Sequence, residues 1–138
     1  MAAITRIDVR LKTSARSGAG TDGDVYIGID GREFYIDSAI DDFEQGGDRT
    51  YTFGDGANVN FASSNNPVSP YQLLTEKLDH SPVYVRFSPQ NRGDNWDMES
   101  VTVTVNPGPK QVQYQALGGS DHLSLGVHSG LYCSLFKL

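Results

Sequence analysis

The sequence predicts an all-β domain, a sandwich or a barrel, and three observations carry that expectation. The β-branched and aromatic residues fall in short runs set apart by Gly, Asn, Asp and Pro clusters. Within the runs, apolar residues return at every second position, the period of a strand with one buried face. The third is size and composition. The 138 residues, 38% hydrophobic and 20% charged, suit a single globular domain over 1–138, large enough to bury a core without staples. No internal repeat and no dividing linker is visible.

Ile7, Val9 and Leu11 alternate with Asp8, Arg10 and Lys12 in the first strand. A small-residue loop, Ser14 to Asp22, leads to a second strand with Val25, Ile27 and Ile29. Asp30-Gly31 is a two-residue hairpin signal, and Phe34 and Ile36 mark the returning strand. An acidic turn, Ile40 to Asp48, precedes a short strand over Thr50 to Phe53. The Asn- and Ser-rich stretch from Gly54 to Ser69 reads as loop. Pro70 to Leu78 is expected to form one or two helical turns, capped by Ser69, with Leu73, Leu74 and Leu78 turned inward. Val83, Val85 and Phe87 define another strand, followed by a polar loop from Ser88 to Asn95. Val101, Val103 and Val105 alternate up to the turn at Pro107-Gly108-Pro109. The tail from Lys110 is expected to give two or three more strands, with breaks at Gly118-Gly119 and Gly126.

Charge narrows the function. The formal net charge is −6, and Asp outnumbers Glu. Such a chain repels a phosphate backbone, which argues against nucleic acid as partner, and repels anionic lipid unless bound cations invert the local sign. Abundant Asp in turns suits oxygen ligation of a hard cation, and it equally suits turn formation alone. Cys133 is the sole cysteine, within the apolar run Leu131 to Phe136, and reads as a small buried hydrophobe. Arg6, Asp8 and Arg10 interrupt the N-terminal apolar stretch, so no signal peptide or transmembrane segment is read in this chain, and it is expected to be soluble.

His80, His122 and His128 lack metal spacing. Gly126-Val127-His128-Ser129-Gly130 is not a nucleophile elbow, because its serine stands at the wrong place between the glycines. Trp96, Tyr26, Tyr35, Tyr51 and Tyr84 read as packing residues. Taken alone, Asp41, Asp42 and Asp94 read as cap or turn residues.

Three segments together say more. They are Gly18-Ala-Gly-Thr-Asp22 before an alternating strand, Asp41-Asp-Phe-Glu-Gln-Gly46, and Asp94-Asn-Trp96 before another strand. In order and spacing, from Ile4 to Val105, the chain resembles the PLAT domain family of lipoxygenases, polycystins, animal lipases and the C-terminal domain of clostridial alpha-toxin. The resemblance implies an antiparallel β-sandwich of two four-stranded sheets, with calcium held by loops at one end in the calcium-binding members. Carried over by position, Gly20 and Thr21 would offer carbonyl oxygens and Asp22 a carboxylate. Asp41 and Asp42 would add carboxylates, as would Asp94, with a carbonyl from Asn95. Gly18 stands where several calcium-binding members carry an acidic residue, one ligand fewer. The stretch between the Thr50 and Pro82 strands is longer than usual for the family. The loop from Ser88 to Gly93 carries nothing that inserts readily into a bilayer, and only Arg92 to meet a lipid phosphate.

The functional expectation is therefore a non-catalytic, calcium-binding docking module for a phospholipid membrane surface or a protein partner. The alternative is a calcium-independent protein–protein interaction domain. A small hydrolase ranks last, because in the family's enzymes catalysis belongs to a separate domain.

Overall fold

Alternation is realised as ten strands among the described residues, 2–118 and 122–138 of the computed structural model. They are β1 (Arg6–Thr13), β2 (Asp24–Ile29), β3 (Arg32–Ile36), β4 (Asp48–Gly54), β5 (Tyr84–Ser88), β6 (Trp96–Val105), β7 (Val112–Ala116), β8 (Leu123–Leu125), β9 (Tyr132–Ser134) and β10 (Phe136–Lys137). Two antiparallel sheets form a sandwich. One runs β10-β7-β6-β1-β4 with β8 also on β6, and the other runs β3-β2-β5-β9. The predicted sandwich is present, but the sheets hold six and four strands rather than four each. The physical reason is the length of β6. Its C-terminal half, Val101–Val105, pairs with β7, which leaves Trp96–Met98 free to pair with β8. The tail thus gives four short strands where two or three were expected. Of its expected breaks, Gly118 and Gly126 fall between strands, and Gly119 lies outside the described residues.

The apolar residues of β1, Ile7, Val9 and Leu11, meet those of β2, Val25, Ile27 and Ile29, in one core. Full burial of each such side chain is worth about 1.5–3 kcal/mol. In β6 the buried positions change parity. Trp96 and Met98 are buried, then Val101, Val103 and Val105. A strict pleat would turn one of these sets to solvent. The strand solves this with a β-bulge: Lys12 pairs with Ser100, but Thr13 pairs with Met98, so Glu99 is the extra residue. Both apolar sets then face the core.

The hairpin signal is confirmed. Asp30 and Gly31 take φ of 54° and 78°, the double positive φ of a type I′ turn, which suits Asp-Gly and matches strand twist. The helical expectation over Pro70 to Leu78 is corrected. The only helical turn among the described residues is 3₁₀, Thr75–His80, preceded by Leu74 rather than capped by Ser69. The chain just before it pairs with the N-terminus instead: Ile4 N donates to Leu73 O (2.8 Å), Thr75 N donates to Ala2 O (2.9 Å), and the extended Leu74 bridges Ala3. Those bonds satisfy the backbone groups that an earlier helix would have used. Leu73 and Leu78 are buried as expected, and Leu74 is half-buried. Cys133 is buried, and that burial raises its thiol pKa above the ordinary value.

On the outer face of the second sheet, Arg86 donates two hydrogen bonds to Glu33, each 2.9 Å, and lies 4.0 Å from the centre of the Tyr26 ring. The Arg86 pairing lowers the Glu33 pKa below its ordinary value of 4.5. A carboxylate whose pKa is depressed by folding adds stability that is complete above the unfolded value and is lost as pH falls through the folded value. Unfolding curves of wild type and Glu33→Gln should therefore differ most at neutral pH and converge at acid pH. A gap that stayed constant across the titration would refute the linkage.

Candidate functional site

Five strand ends meet on one side of the sandwich. Lys12 faces Asp48, Asp24 faces Ser88, and Thr13 faces Met98, so β1 and β5 end there while β2, β4 and β6 begin. The floor of this end is Trp96. Its indole is fully buried, donates to Thr13 Oγ1 at 3.0 Å, and packs on Phe43 and Phe87 with ring centres 5.4 and 5.9 Å apart. Over that floor lie three loops: Ser14–Gly23, Asp37–Gly47 and Pro89–Asn95.

The loops are bound to one another through small hydroxyls and glycines. Thr21 N donates to Phe43 O (3.0 Å), and Thr21 Oγ1 donates to Asp94 Oδ1 (2.7 Å). Asp94 Oδ2 accepts from Gln90 N (2.9 Å), so this one carboxylate ties the first and third loops. A Cβ at Gly23 would sit 2.9 Å from Asp94 Oδ2 and 2.8 Å from Ser88 O, and one at Gly20 would press on Phe43 O at 3.0 Å. Larger residues at either place would push the loops apart. Phe43 holds a φ of 60°, strained for a bulky residue, at a cost of about 1–3 kcal/mol that its ring packing offsets.

Asp42 performs a similar service in the second loop. It accepts from Ser38 N (2.8 Å), Ser38 Oγ (2.5 Å) and the Tyr51 hydroxyl (2.9 Å). Burial first, and this bond second, raise the Tyr51 pKa well above that of a free phenol. Tyr35 is shifted the same way, by burial and by its bond to Asp24 (2.9 Å).

Two concavities open at this end. One, of about 470 Å³, is lined by Gly20, Thr21, Asp22, Glu44 and Asp94 among others. The second, of about 180 Å³, is lined by Thr21, Asp22, Asp24, Asp37, Asp41 and Asp42 among others. Thr21 and Asp22 stand on the wall between them. Six of the seven predicted ligand residues thus line one or both hollows. The seventh, Asn95, does not: its amide donates to Gly93 O at 3.4 Å, and its Oδ1 lies where a Cβ on Gly126 would fall. Sequence reasoning passed over Asp24, Asp37 and Glu44 as lining residues. Glu44 was legible in the acidic turn. Asp24 and Asp37 were not, because they lie at strand ends where only β2–β3 pairing brings them side by side.

The donor set is all oxygen, the chemistry a hard cation takes. Among the described residues, however, no three acidic, His or Cys side chains are gathered closely enough to hold a metal ion. Asp42 and Asp94 already spend their oxygens on loop hydrogen bonds, while Asp22 and Asp41 are exposed. The fit is therefore one of donor type and position, with the carboxylates spread over two hollows.

A two-sheet antiparallel sandwich with three loops gathered at one end, the first bonded to each of the others, is the class of β-domain this chain presents. Within that class, the chain belongs to the PLAT/LH2 domain family, whose model matches residues 7–117. Its structure is similar to that of the alpha-toxin of Clostridium absonum (22% identity, TM-score 0.53, covering 99% of this chain and 31% of that one). The Clostridium perfringens alpha-toxin is similar too (20%, TM-score 0.57, 99% and 31%). So is coral 8R-lipoxygenase, described as calcium-activated via a C2-like domain (17%, TM-score 0.58, 96% and 17%). The chain thus spans about a third of each toxin and a sixth of the lipoxygenase. No curated protein matched the sequence. No helix among the described residues is long and apolar enough to cross a membrane.

The hydrogen bonds predict a calcium-free effect. Asp42→Ala, measured in chelator, should cost about 2–3 kcal/mol, since it strands the Tyr51 hydroxyl and Ser38 N–H, and Tyr51→Phe should cost about 1 kcal/mol. Denaturant unfolding reads both. A neutral Asp42→Ala would mean that these bonds carry nothing.

Proposed function

We propose that this domain is a non-catalytic docking module whose loop end engages a membrane-lipid surface or a protein partner, with calcium as the ligand that controls it. The carrying observation is the pair of oxygen-lined hollows that share Thr21 and Asp22. Asp22, Asp41, Asp42 and Asp94, with carbonyls of Gly20 and Thr21, are the residues we assign to the cation, and Asn95 belongs to the set only through its main chain. In this reading, cation binding relieves the mutual repulsion of the acidic loops and reverses the local sign that otherwise repels a phosphate surface. Family membership supports docking. The similar coral lipoxygenase, described as calcium-activated via a C2-like domain, supports the choice of ion.

A second reading is favoured by a specific observation. The oxygens of Asp42 and Asp94 are satisfied without metal, so the loop end is already tied by its own bonds. A rigid, metal-free end of that kind suits a calcium-independent protein–protein contact.

Thermal unfolding separates the two. A ligand specific to the folded state adds about 2.7 kcal/mol at a hundred times its Kd. Calcium, and not magnesium, should raise the midpoint saturably, and Asp22→Asn and Asp41→Asn, both at exposed positions, should flatten the rise. Calcium-dependent co-sedimentation with phospholipid vesicles would then identify the surface. An unchanged midpoint at millimolar calcium would end the metal reading and leave protein docking.

A further inference from the structure

The first and last residues of a buried strand face differ sharply in β4. Arg49, Tyr51 and Phe53 stand opposite Leu11, Val9 and Ile7, the core-facing residues of β1. Tyr51 and Phe53 are buried in the core, yet the same face begins with an arginine. Arg49 Nε is buried and has no hydrogen-bond partner among the described residues. None of the ion pairs found among those residues includes Arg49, whereas Arg6, Arg10 and Arg86 are paired. Its guanidinium carbon lies 5.6 Å from the centre of the Tyr51 ring.

Beside this arginine, between the edge of the sandwich and the second loop, is a mostly apolar pocket of about 220 Å³. Leu11, Phe43, Tyr51 and the exposed Ile40 supply its apolar wall. Asp41, Glu44 and Asp48 also border it. Asp48 is engaged by Arg10 through bonds of 3.0 and 2.8 Å, and Asp41 and Glu44 are exposed.

We propose that this pocket binds an anionic head on a short alkyl stem, the carboxylate of a fatty acid meeting Arg49 and its chain covering Leu11, Ile40 and Phe43. The charge selects the head, because a guanidinium whose buried Nε has no hydrogen-bond partner gains most from an acceptor that satisfies it. The volume selects the stem, since it falls below the roughly 300–1,000 Å³ that drug-sized ligands occupy. The exposed Asp41 and Glu44 oppose the head, so they set an upper limit on affinity. An inward charge on an edge strand also discourages edge-to-edge pairing, and that role alone would require no ligand. The proposal adds a ligand to the docking end but does not depend on calcium.

The test is titration with octanoate in the presence of chelator, followed by calorimetry and by amide shifts of the ¹⁵N-labelled domain. Shifts should centre on Ile40, Phe43 and Arg49. Affinity should fall about tenfold or more in Arg49→Met, as expected for loss of a charge-assisted bond, and be largely kept in Arg49→Lys. Octan-1-ol should bind more weakly than octanoate, and Asp41→Asn should bind octanoate more tightly than wild type. Vesicles of phosphatidylcholine with and without oleate distinguish the source. Arg49-dependent recruitment to oleate vesicles without octanoate binding assigns the site to lipid in a bilayer. Binding that ignores Arg49 in both arms overturns the proposal. Because calcium is absent, its failure leaves the calcium reading untouched, and failure of the calcium titration leaves this pocket untouched.

Discussion

The bulge at Glu99 is the constraint on which the loop end depends. Without an extra residue there, the pleat would face either Trp96 and Met98 or the three valines outward. With it, Trp96 enters the core directly beneath the three loops and reaches Thr13, Phe43 and Phe87 at once. Each of those contacts belongs to a different part of the chain. One buried indole therefore coordinates the ends of β1 and β5 and the strained turn at Phe43, and the bulged strand delivers it there.

Above that floor, Phe43 and Ala19 are the buried apolar anchors, and hydrogen bonds supply the rest of the cohesion. The rest of each loop is polar and rich in glycine, so its backbone groups need partners of their own. Thr21 and Asp94 join the first loop to the third, while Ser38 and Asp42 brace the second loop on itself and on Tyr51 of β4. This has a consequence for any cation. The same carboxylates that would bind it now serve the fold, so the two roles compete for lone pairs, and the exposed Asp22 and Asp41 are the freest to respond.

The two sides of the loop end differ in chemistry. Asp22 and its neighbours offer open, oxygen-lined hollows. The side near β4 offers an apolar wall and an unpaired guanidinium. Ile40 and Asp41 border both the apolar pocket and the smaller acidic hollow, so a change in the second loop would be felt in each.

Much of this was determined by sequence alone. Alternation at Ile7 to Leu11, Val25 to Ile29 and Val101 to Val105 is a local property of the pleat, and Asp-Gly at 30–31 carries its own turn chemistry, so these elements needed no tertiary knowledge. The three motif segments likewise marked the three loops that gather at one end of the sandwich. Other features required the third dimension. The chain at 73–75 pairs with distant Ala2, Ala3 and Ile4 instead of continuing a helix, a preference invisible in a local window. Asp24 and Asp37 join the acidic hollow only through strand pairing. Asp42 bonds Ser38 within its own turn, as its local reading suggests, but its bond to Tyr51 of β4 and that of Asp94 to Thr21 of the first loop exist only in the folded chain. Arg49 lies on the core-facing side only through its register with Leu11. Local patterns fix what each segment prefers, but where hydrogen bonds and charges find partners is decided by packing.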